Sequence, residues 1–302
     1  MKAFYSDTFD FPLPENHRFP MRKYSRLRER LIQEQIVDPH ELLVPPAATD
    51  EQLMRAHSYE YLQQVIGGNL TEKEIRRIGF PWSPELVERS RRSVGGSLSA
   101  CHAAVQEGVA VNLAGGTHHA HRAWGSGFCV FNDAAVAAMD LLAQQKTDSV
   151  LIIDCDVHQG DGTATIFAAE PRVYTFSIHG ATNFPFRKAT SNLDIALPNG
   201  IEDEAYLQAL RSGVAQALRK SDPTFVIYLA GADPYHDDSF GHLSLTKQGL
   251  SQRDAIVFDA CRQSDLPLAV VMSGGYAPEI EDIVDIHLES VRQAASYSAT
   301  AG

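Results

Sequence analysis

Short, mostly apolar runs alternate along this chain with longer stretches whose apolar residues fall on one helical face. The runs at residues 2–5, 109–113, 150–154, 172–178, 225–230 and 268–272 are too short for helices and predict buried strands. Between them, Ser83-Pro84 opens a helix, with Ser as cap and Pro in the first turn. Val87, Val94, Leu98, Cys101 and Val105 then keep to one face. Further helices are predicted at 133–145, 203–220, 246–262 and 279–294. This alternation predicts an α/β fold, three-layered α/β/α, with a mainly parallel central sheet covered on both faces. Residues 7–24 and 69–82 carry charge or proline without a sustained period and read as surface loops. No repeat or shift in composition divides the chain, so one domain over 1–302 is expected.

The predicted strand ends carry the chemistry. In open parallel sheets ligands bind beyond the carboxyl ends of the strands. Five runs end in polar or glycine-rich turns: Gly115-Gly116-Thr117-His118-His119, the cluster Asp154, Asp156, His158 and Asp161, Ser177-Ile178-His179, Gly231-Ala232-Asp233, and Ser273-Gly274-Gly275-Tyr276. All five can converge on one rim. Crowded carboxylates are costly unless a cation or imidazole offsets them. Asp156, His158 and Asp233 would make a one-imidazole, two-carboxylate site with a position left open, as catalytic metal sites have. A bound Zn²⁺ lowers the pKa of its water to ~7 and polarises a carbonyl. His118-His119 offers a general base, and Asp154 and Asp161 are the carboxylates free to orient the two rings. The Tyr276 phenol can donate to a developing oxyanion, and the glycines before it predict a mobile placement. Phe128 on the Gly125–Phe128 turn, with Phe184 and Phe186, can wall a narrow channel for an alkyl chain. Each feature alone has a plainer reading, as polar loop or core aromatic; five together at strand ends do not.

Composition narrows the partners. A net charge of −12 argues against nucleic acid and is compatible with cationic substrates such as lysine-rich tails. The N-terminus lacks the basic-then-apolar plan of a signal peptide, and no apolar run approaches the ~20 residues of a membrane span. Cys101, Cys129, Cys155 and Cys261 form no CxxC pair, which fits a reduced, cytoplasmic setting.

The ordered series GGTHHA, GFCVFND, DCDVHQGDG, SIH, AGAD and SGGY resembles the zinc-dependent histone deacetylase family of the arginase/deacetylase fold. The likeness runs from about Trp82 to His287, with a weaker match at AFYSD. His158-Gln159-Gly160, Ser273 before Gly-Gly-Tyr and the compact length look most like class IV and its bacterial relatives. The resemblance implies zinc on Asp156, His158 and Asp233, and His119 paired with Asp161 as general base and then acid. It implies His118 paired with Asp154 as an electrostatic partner, and Tyr276 polarising the scissile carbonyl. It further implies K⁺ or Na⁺ held by Asp154, Asp156, His158, Ser177 and Ile178. Gly127 and Phe128 are implied as one tunnel wall, faced by Phe184 or Phe186. The implied reaction removes acyl groups, acetyl or longer, from the ε-amine of lysine in peptides or proteins. Loops near Phe128, 183–187 and 237–242 suggest a pocket wider than acetyl requires. The runner-up substrate is a small acylated amine such as an acetylpolyamine, which an acidic gate at Asp237 or Asp238 would favour. A binuclear manganese ureohydrolase would want a denser ligand set. A non-catalytic acyl-lysine reader would want Tyr276 or one histidine lost.

Overall fold

A computed structural model describes residues 1–299 of the chain. Its strands are β1 (Ala3–Phe4), β2 (Leu42–Leu43), β3 (Val109–Asn112), β4 (Val150–Asp154), β5 (Val173–Gly180), β6 (Leu193–Leu197), β7 (Phe225–Ala230) and β8 (Leu268–Met272). They form one sheet in the order β2-β1-β3-β8-β7-β4-β5-β6, and every pairing is parallel. The helices are α1 (Arg22–Gln33), α2 (Asp50–Met54), α3 (Tyr59–Gly67), α4 (Glu72–Ile78), α5 (Pro84–Glu107), α6 (Asp133–Ala143), α7 (Asp161–Ile166), α8 (Asp203–Ser221), α9 (Lys247–Gln263) and α10 (Ile280–Ala299).

Strand side chains alternate between two cores. Leu151 and Ile153 pack with Leu27, Leu210, Val257 and Val291 from α1, α8, α9 and α10. Val150 and Ile152 pack with Leu62, Leu98 and Val136 from α3, α5 and α6. Burial on both faces is why these strands read as unbroken apolar runs. The fold is the three-layered α/β/α arrangement with a parallel sheet that the pattern predicts. Among the described residues, no helix is long and apolar enough to cross a membrane.

Four readings need correction. Residues 69–82 are not a loop: α4 lies within them, opened by a capping box in which Thr71 and Glu74 satisfy each other's backbone N–H. Residues 7–24 are not simply surface, since Phe11 is buried and Phe19 packs on Phe80, Phe128 and Tyr276. Ser177-Ile178-His179 is strand rather than turn. There β5 is held in extension by pairing with β6 and by Gly180 N–H donating to Val157 O at 2.9 Å. Finally, α1 begins inside the 7–24 stretch read as a loop, α7 follows directly on the Asp/His turn, and α2, α3, β2 and β6 occupy stretches to which the pattern assigns nothing. β6 is an edge strand that alternates half-buried and exposed residues over too few positions to stand out.

Candidate active site

The four central strands of the sheet are β3, β8, β7 and β4. The turns after β3, β4 and β8 line the floor of one cavity of ≈ 630 Å³, with Asp233, after β7, directly behind Asp156 and His158. The turn after β3 is fixed by the first residues of α6. The Asp133 carboxylate accepts from Gly116 N at 3.1 Å, Thr117 N at 2.7 Å and Thr117 Oγ1 at 2.6 Å. The Asn132 amide donates to Ala120 O at 3.1 Å. Both residues are fully buried. His57 adds a clasp from the turn between α2 and α3. Its Nε2 accepts from Asn132 N at 2.9 Å and its Nδ1 lies 3.0 Å from His121 O, which sets the neutral Nδ1–H tautomer. Burial lowers His57 to about 4.

This scaffold aims the tandem histidines. His118 Nδ1 lies 2.7 Å from Asp154 Oδ2, and His119 Nδ1 lies 2.6 Å from Asp161 Oδ1. Each carboxylate therefore holds Nδ1 and leaves Nε2 to other partners. The pairings implied by resemblance are present as contacts. The two rings differ in charge preference. Burial lowers His119, helped by the neighbouring His118 charge, to about 4. Burial also works against charge on His118, but Asp154 and Asp156 outweigh it and raise His118 to about 9. Asp161 receives a second ring: His121 Nε2 stands 3.1 Å from its Oδ2. Against the cost of burial, hydrogen bonds from both rings hold Asp161 well below the usual carboxylate range.

Asp156 and His158 follow β4, and Asp233 follows β7. β4 and β7 are sheet neighbours. Ligand atoms of the three residues lie within 4.8 Å of one another, and among the described residues this is the one such cluster. His158 Nδ1 is 2.9 Å from Asp156 Oδ1 and 3.1 Å from Asp233 Oδ2. The remaining oxygens are oriented by Ser273 Oγ and Gly274 N, each 2.7 Å from Asp156 Oδ2, and by Val157 N, 2.9 Å from Asp233 Oδ1. Both carboxylates are essentially sealed from solvent. Burial and the Asp156 charge push Asp233 up to about 7. Desolvation works against the imidazolium, yet hydrogen bonds to the two carboxylates lift His158 to about 10. Gly274 leaves room for the cluster, since a Cβ there would stand 1.8 Å from Asp233 Oδ2. Two buried carboxylates and an imidazole that share one point, with their outer oxygens already satisfied, fit a divalent cation. Beside them, the β4–β5 register sets Asp154 opposite Ser177, and Ile178 follows. The five residues expected around a monovalent cation are thus brought together.

Tyr276 lines the same cavity, and three hydrogen bonds tie its loop. Gly274 N–H bonds Asp156, the buried Lys23 ammonium donates to Gly275 O at 3.1 Å, and Tyr276 N–H donates to Asp238 Oδ2 at 2.6 Å. Burial pushes the phenol well above its ordinary pKa, so it stands as a neutral donor. The walls are aromatic. Phe128 is half-buried at a φ of 64°, unusual for a bulky residue. It is strapped in place by Gly127 N–H to Arg77 O and Phe128 N–H to Ile78 O, at 3.1 and 2.7 Å. Gly127 passes close to the base: a Cβ on it would stand 2.7 Å from His119 Cδ2. Phe184 stands edge-on to His119 with centroids 4.9 Å apart, whereas Phe186 is 88% exposed at the outer edge. Of the two, Phe184 is the one beside the histidine.

Sequence reasoning missed Phe240, which stands 4.9 Å from the Tyr276 ring and 6.4 Å from Phe128. It also missed Asn132 and Asp133. For those two a signal existed in the Asn-Asp pair that ends the GFCVFND run and starts α6. Phe240 sits in an irregular loop with no such signal. Asp238 lies near the rim as expected, but its carboxylate is used up. Oδ1 accepts from Phe240 N and Gly241 N, while Oδ2 takes Tyr276 N.

Comparison with known proteins follows the same outline. The sequence model of the histone deacetylase domain matches residues 17–291. An uncharacterized protein of a Picosynechococcus species is 41% identical over 283 residues, covering 94% of each chain. Histone deacetylase 2 of Arabidopsis thaliana is 28% identical, covering 95% of this chain and 77% of its own. Acetoin utilization protein AcuC of Staphylococcus aureus is 29% identical over 82% of this chain and 69% of its own. Among solved structures, an HDAC homolog from Aquifex aeolicus superposes with a TM-score of 0.85 at 22% identity. It covers 98% of this chain and 84% of its own, and it supports the fold. A domain match over most of the length, on a sheet whose strand ends carry the expected motifs, places this chain in the histone deacetylase domain family.

Proposed function

We propose that the protein is a zinc-dependent amidohydrolase, one catalytic domain over 1–302, that removes acyl groups from the ε-amine of lysine in peptides or proteins. The observation that carries this is the convergence, at one cavity floor, of the Asp156–His158–Asp233 cluster, a carboxylate-backed His119 and the Tyr276 phenol. When bound, zinc supplies Lewis acidity to the amide carbonyl and acidifies water. Asp161 holds His119 at Nδ1, so His119 Nε2 takes the proton of the attacking water. Tyr276 donates its hydroxyl hydrogen bond to the carbonyl oxygen as negative charge develops there. His119 then passes its proton to the departing amine nitrogen. Phe128, Phe184, Phe240 and Tyr276 enclose the acyl-lysine stem and exclude water. Asp154, Asp156, His158, Ser177 and Ile178 would hold a K⁺ or Na⁺, which would steady Asp156 and His158 as zinc ligands. The likeness to class IV rests on Gln159 and Ser273, and a cytoplasmic setting on the free cysteines.

Lysine is favoured over a small cationic amine because the acids weighed as an amine gate are not open to one. Asp238 is consumed by three backbone N–H groups, and Asp237 pairs with His236 at 3.0 Å outside the cavity. A cavity of ≈ 630 Å³ is generous for acetyl, so longer acyl chains are included in the proposal. Burying each further methylene contributes up to ~0.8 kcal/mol. The deciding experiment compares kcat/KM on lysine peptides carrying acetyl, octanoyl and myristoyl groups, with an acetylpolyamine alongside and metal content measured. One zinc per chain and peptide turnover that persists beyond acetyl are expected. Turnover confined to the acetylpolyamine, or two manganese ions per active chain, would overturn the reading.

A further inference from the structure

The cavity mouth carries a charge opposite to that of the whole chain. The protein has a net charge of −12, yet Asp156, at the metal-cluster floor, is the one carboxylate that lines the cavity. The other residues of fixed charge there are Arg18, Arg76 and Arg77. Arg18 lies over the Phe240 ring at 5.7 Å, and Arg77 over Trp124 at 5.4 Å while its Nε donates to Gly125 O at 3.0 Å. Among the described residues, neither forms an ion pair with a carboxylate, although Arg77 lies close enough to Glu74 to lower its pKa. Arg76 meets Glu72 at 3.2 Å, but the two side chains are 71% and 89% exposed, so water screens that pair heavily.

Three nearby acids are bound elsewhere. Glu74, held by the Thr71 capping box, also feels the Arg77 charge, Asp237 meets His236 and Asp238 is bound by three backbone N–H groups; none of the three forms an ion pair with Arg18 or Arg76. Glu279 stands exposed between Pro278 and Ile280 of the adjoining groove, and at physiological salt the field of more distant acids decays over about 8 Å. Guanidinium groups around an apolar cavity focus the local field and offer forked donors that match carboxylate or phosphate oxygens. Past Arg18 the mouth continues into a second groove of ≈ 490 Å³, which shares Arg18, Ser239, Phe240 and Tyr276 with the cavity. A polypeptide leaving the cavity therefore has a path that crosses Arg18.

We propose that this site selects acyl-amine substrates that carry a negative charge beside the scissile amide, with Arg18 and Arg76 as the specificity-determining residues. This rests on the amidohydrolase reading above and replaces the lysine-rich tails that overall charge suggested. The anion can be an acidic or phosphorylated flank of an acyl-lysine, or a carboxylate on a small acylated amine.

The test uses the full-length, zinc-loaded protein and acetyl-lysine peptides that differ only in two flanking residues: Glu, Ala or Lys. kcat/KM should fall in that order, with about tenfold between the extremes at low salt, since each exposed ion pair contributes about two- to fivefold. The difference should sit in KM and shrink at high salt. In the Arg18→Gln/Arg76→Gln double variant the spread should collapse toward one. Arg77 is left intact because it holds Gly125. A blocked acetyl-lysine with a free carboxylate, set against its methylamide, separates the two sources: preference there as well assigns the anion to a small molecule. Binding of the same peptides to Tyr276→Phe, followed by fluorescence anisotropy, gives a readout that needs no turnover. If the Glu peptide binds best while wild type hydrolyses nothing, anion selection stands and the hydrolase reading falls. Equal values across the three flanks, or a preference for Lys, overturn the proposal.

Discussion

The floor of the cavity and its mouth are built differently. On the floor, Asp156, Asp233, His118 and His119 sit at the ends of central strands, almost wholly buried, and nearly every polar atom has an identified partner. At the mouth, Phe128, Phe184, Phe186, Phe240 and the three arginines come from α4 and irregular loops, half-buried or exposed. A dense hydrogen-bonded floor fixes reacting groups in one geometry, which is what transition-state stabilisation needs. A mouth of rings and long cations adapts to what enters. Change on the floor should abolish chemistry, and change at the mouth should redirect it.

The sharpest break in that contrast would come from the metal cluster. Asp156→Ala or His158→Ala should reduce activity to background and lose metal. The loss should exceed the ~10–100-fold typical of an outer partner, as read by metal analysis after dialysis; full metal content would remove both residues from the ligand set. Next, His119→Ala should cost about 10²–10⁴ in turnover with metal retained. His118→Ala should cost less, because its ring is held charged between Asp154 and Asp156 and serves the field rather than the proton transfer. A more active His119 variant would reverse the roles. Tyr276→Phe should fold normally and lose on the order of 10²–10³ in kcat, and near-wild-type kcat would take the phenol out of the reaction.

The support beneath the floor can be read through pH. His57 is neutral in the fold at about 4, below the ~6.5 of an unfolded chain. Above pH ~6.5 both states are neutral and its contribution to stability is complete. As pH falls toward 4 the unfolded chain takes a proton that the folded chain refuses, so stability drops, by about 2 kcal/mol at pH 5. Denaturant unfolding of wild type at pH 7.5 and 5 should show this loss, and His57→Asn should show a flatter dependence. His119, His179 and His287, also lowered by burial, act alike in both proteins and cancel in the difference. The smallest effect belongs to the rim. Phe186→Ala should change stability by under about 0.5 kcal/mol, whereas Phe184→Ala should raise KM; equal effects would erase the distinction between them.

The same division explains what the sequence disclosed. Floor residues lie in contiguous motifs at the ends of apolar runs, and burial on both sheet faces made those runs visible as unbroken apolar stretches, so His118, Asp156, Asp233 and Tyr276 could be placed together before any fold was known. Mouth residues depend on tertiary packing. Phe240 reaches the cavity through an Asp238-held turn, and Arg76 and Arg77 through α4, whose seven residues are too few for a period but do carry a Thr-x-x-Glu cap. Phe184 and Phe186 differ by nothing in sequence that sets one beside His119 and the other in solvent.

Asp156 and Asp233 are 77 positions apart in the chain and meet only because β4 and β7, strands not consecutive in sequence, lie side by side. A chain in which that long-range pairing has not formed offers the ion two separate carboxylates instead of a cage. The cation should therefore bind the native state almost exclusively and act as a thermodynamic lock on it. At a free concentration one hundred times its dissociation constant it would add about 2.7 kcal/mol, so the melting temperature should climb with metal concentration and fall on chelation.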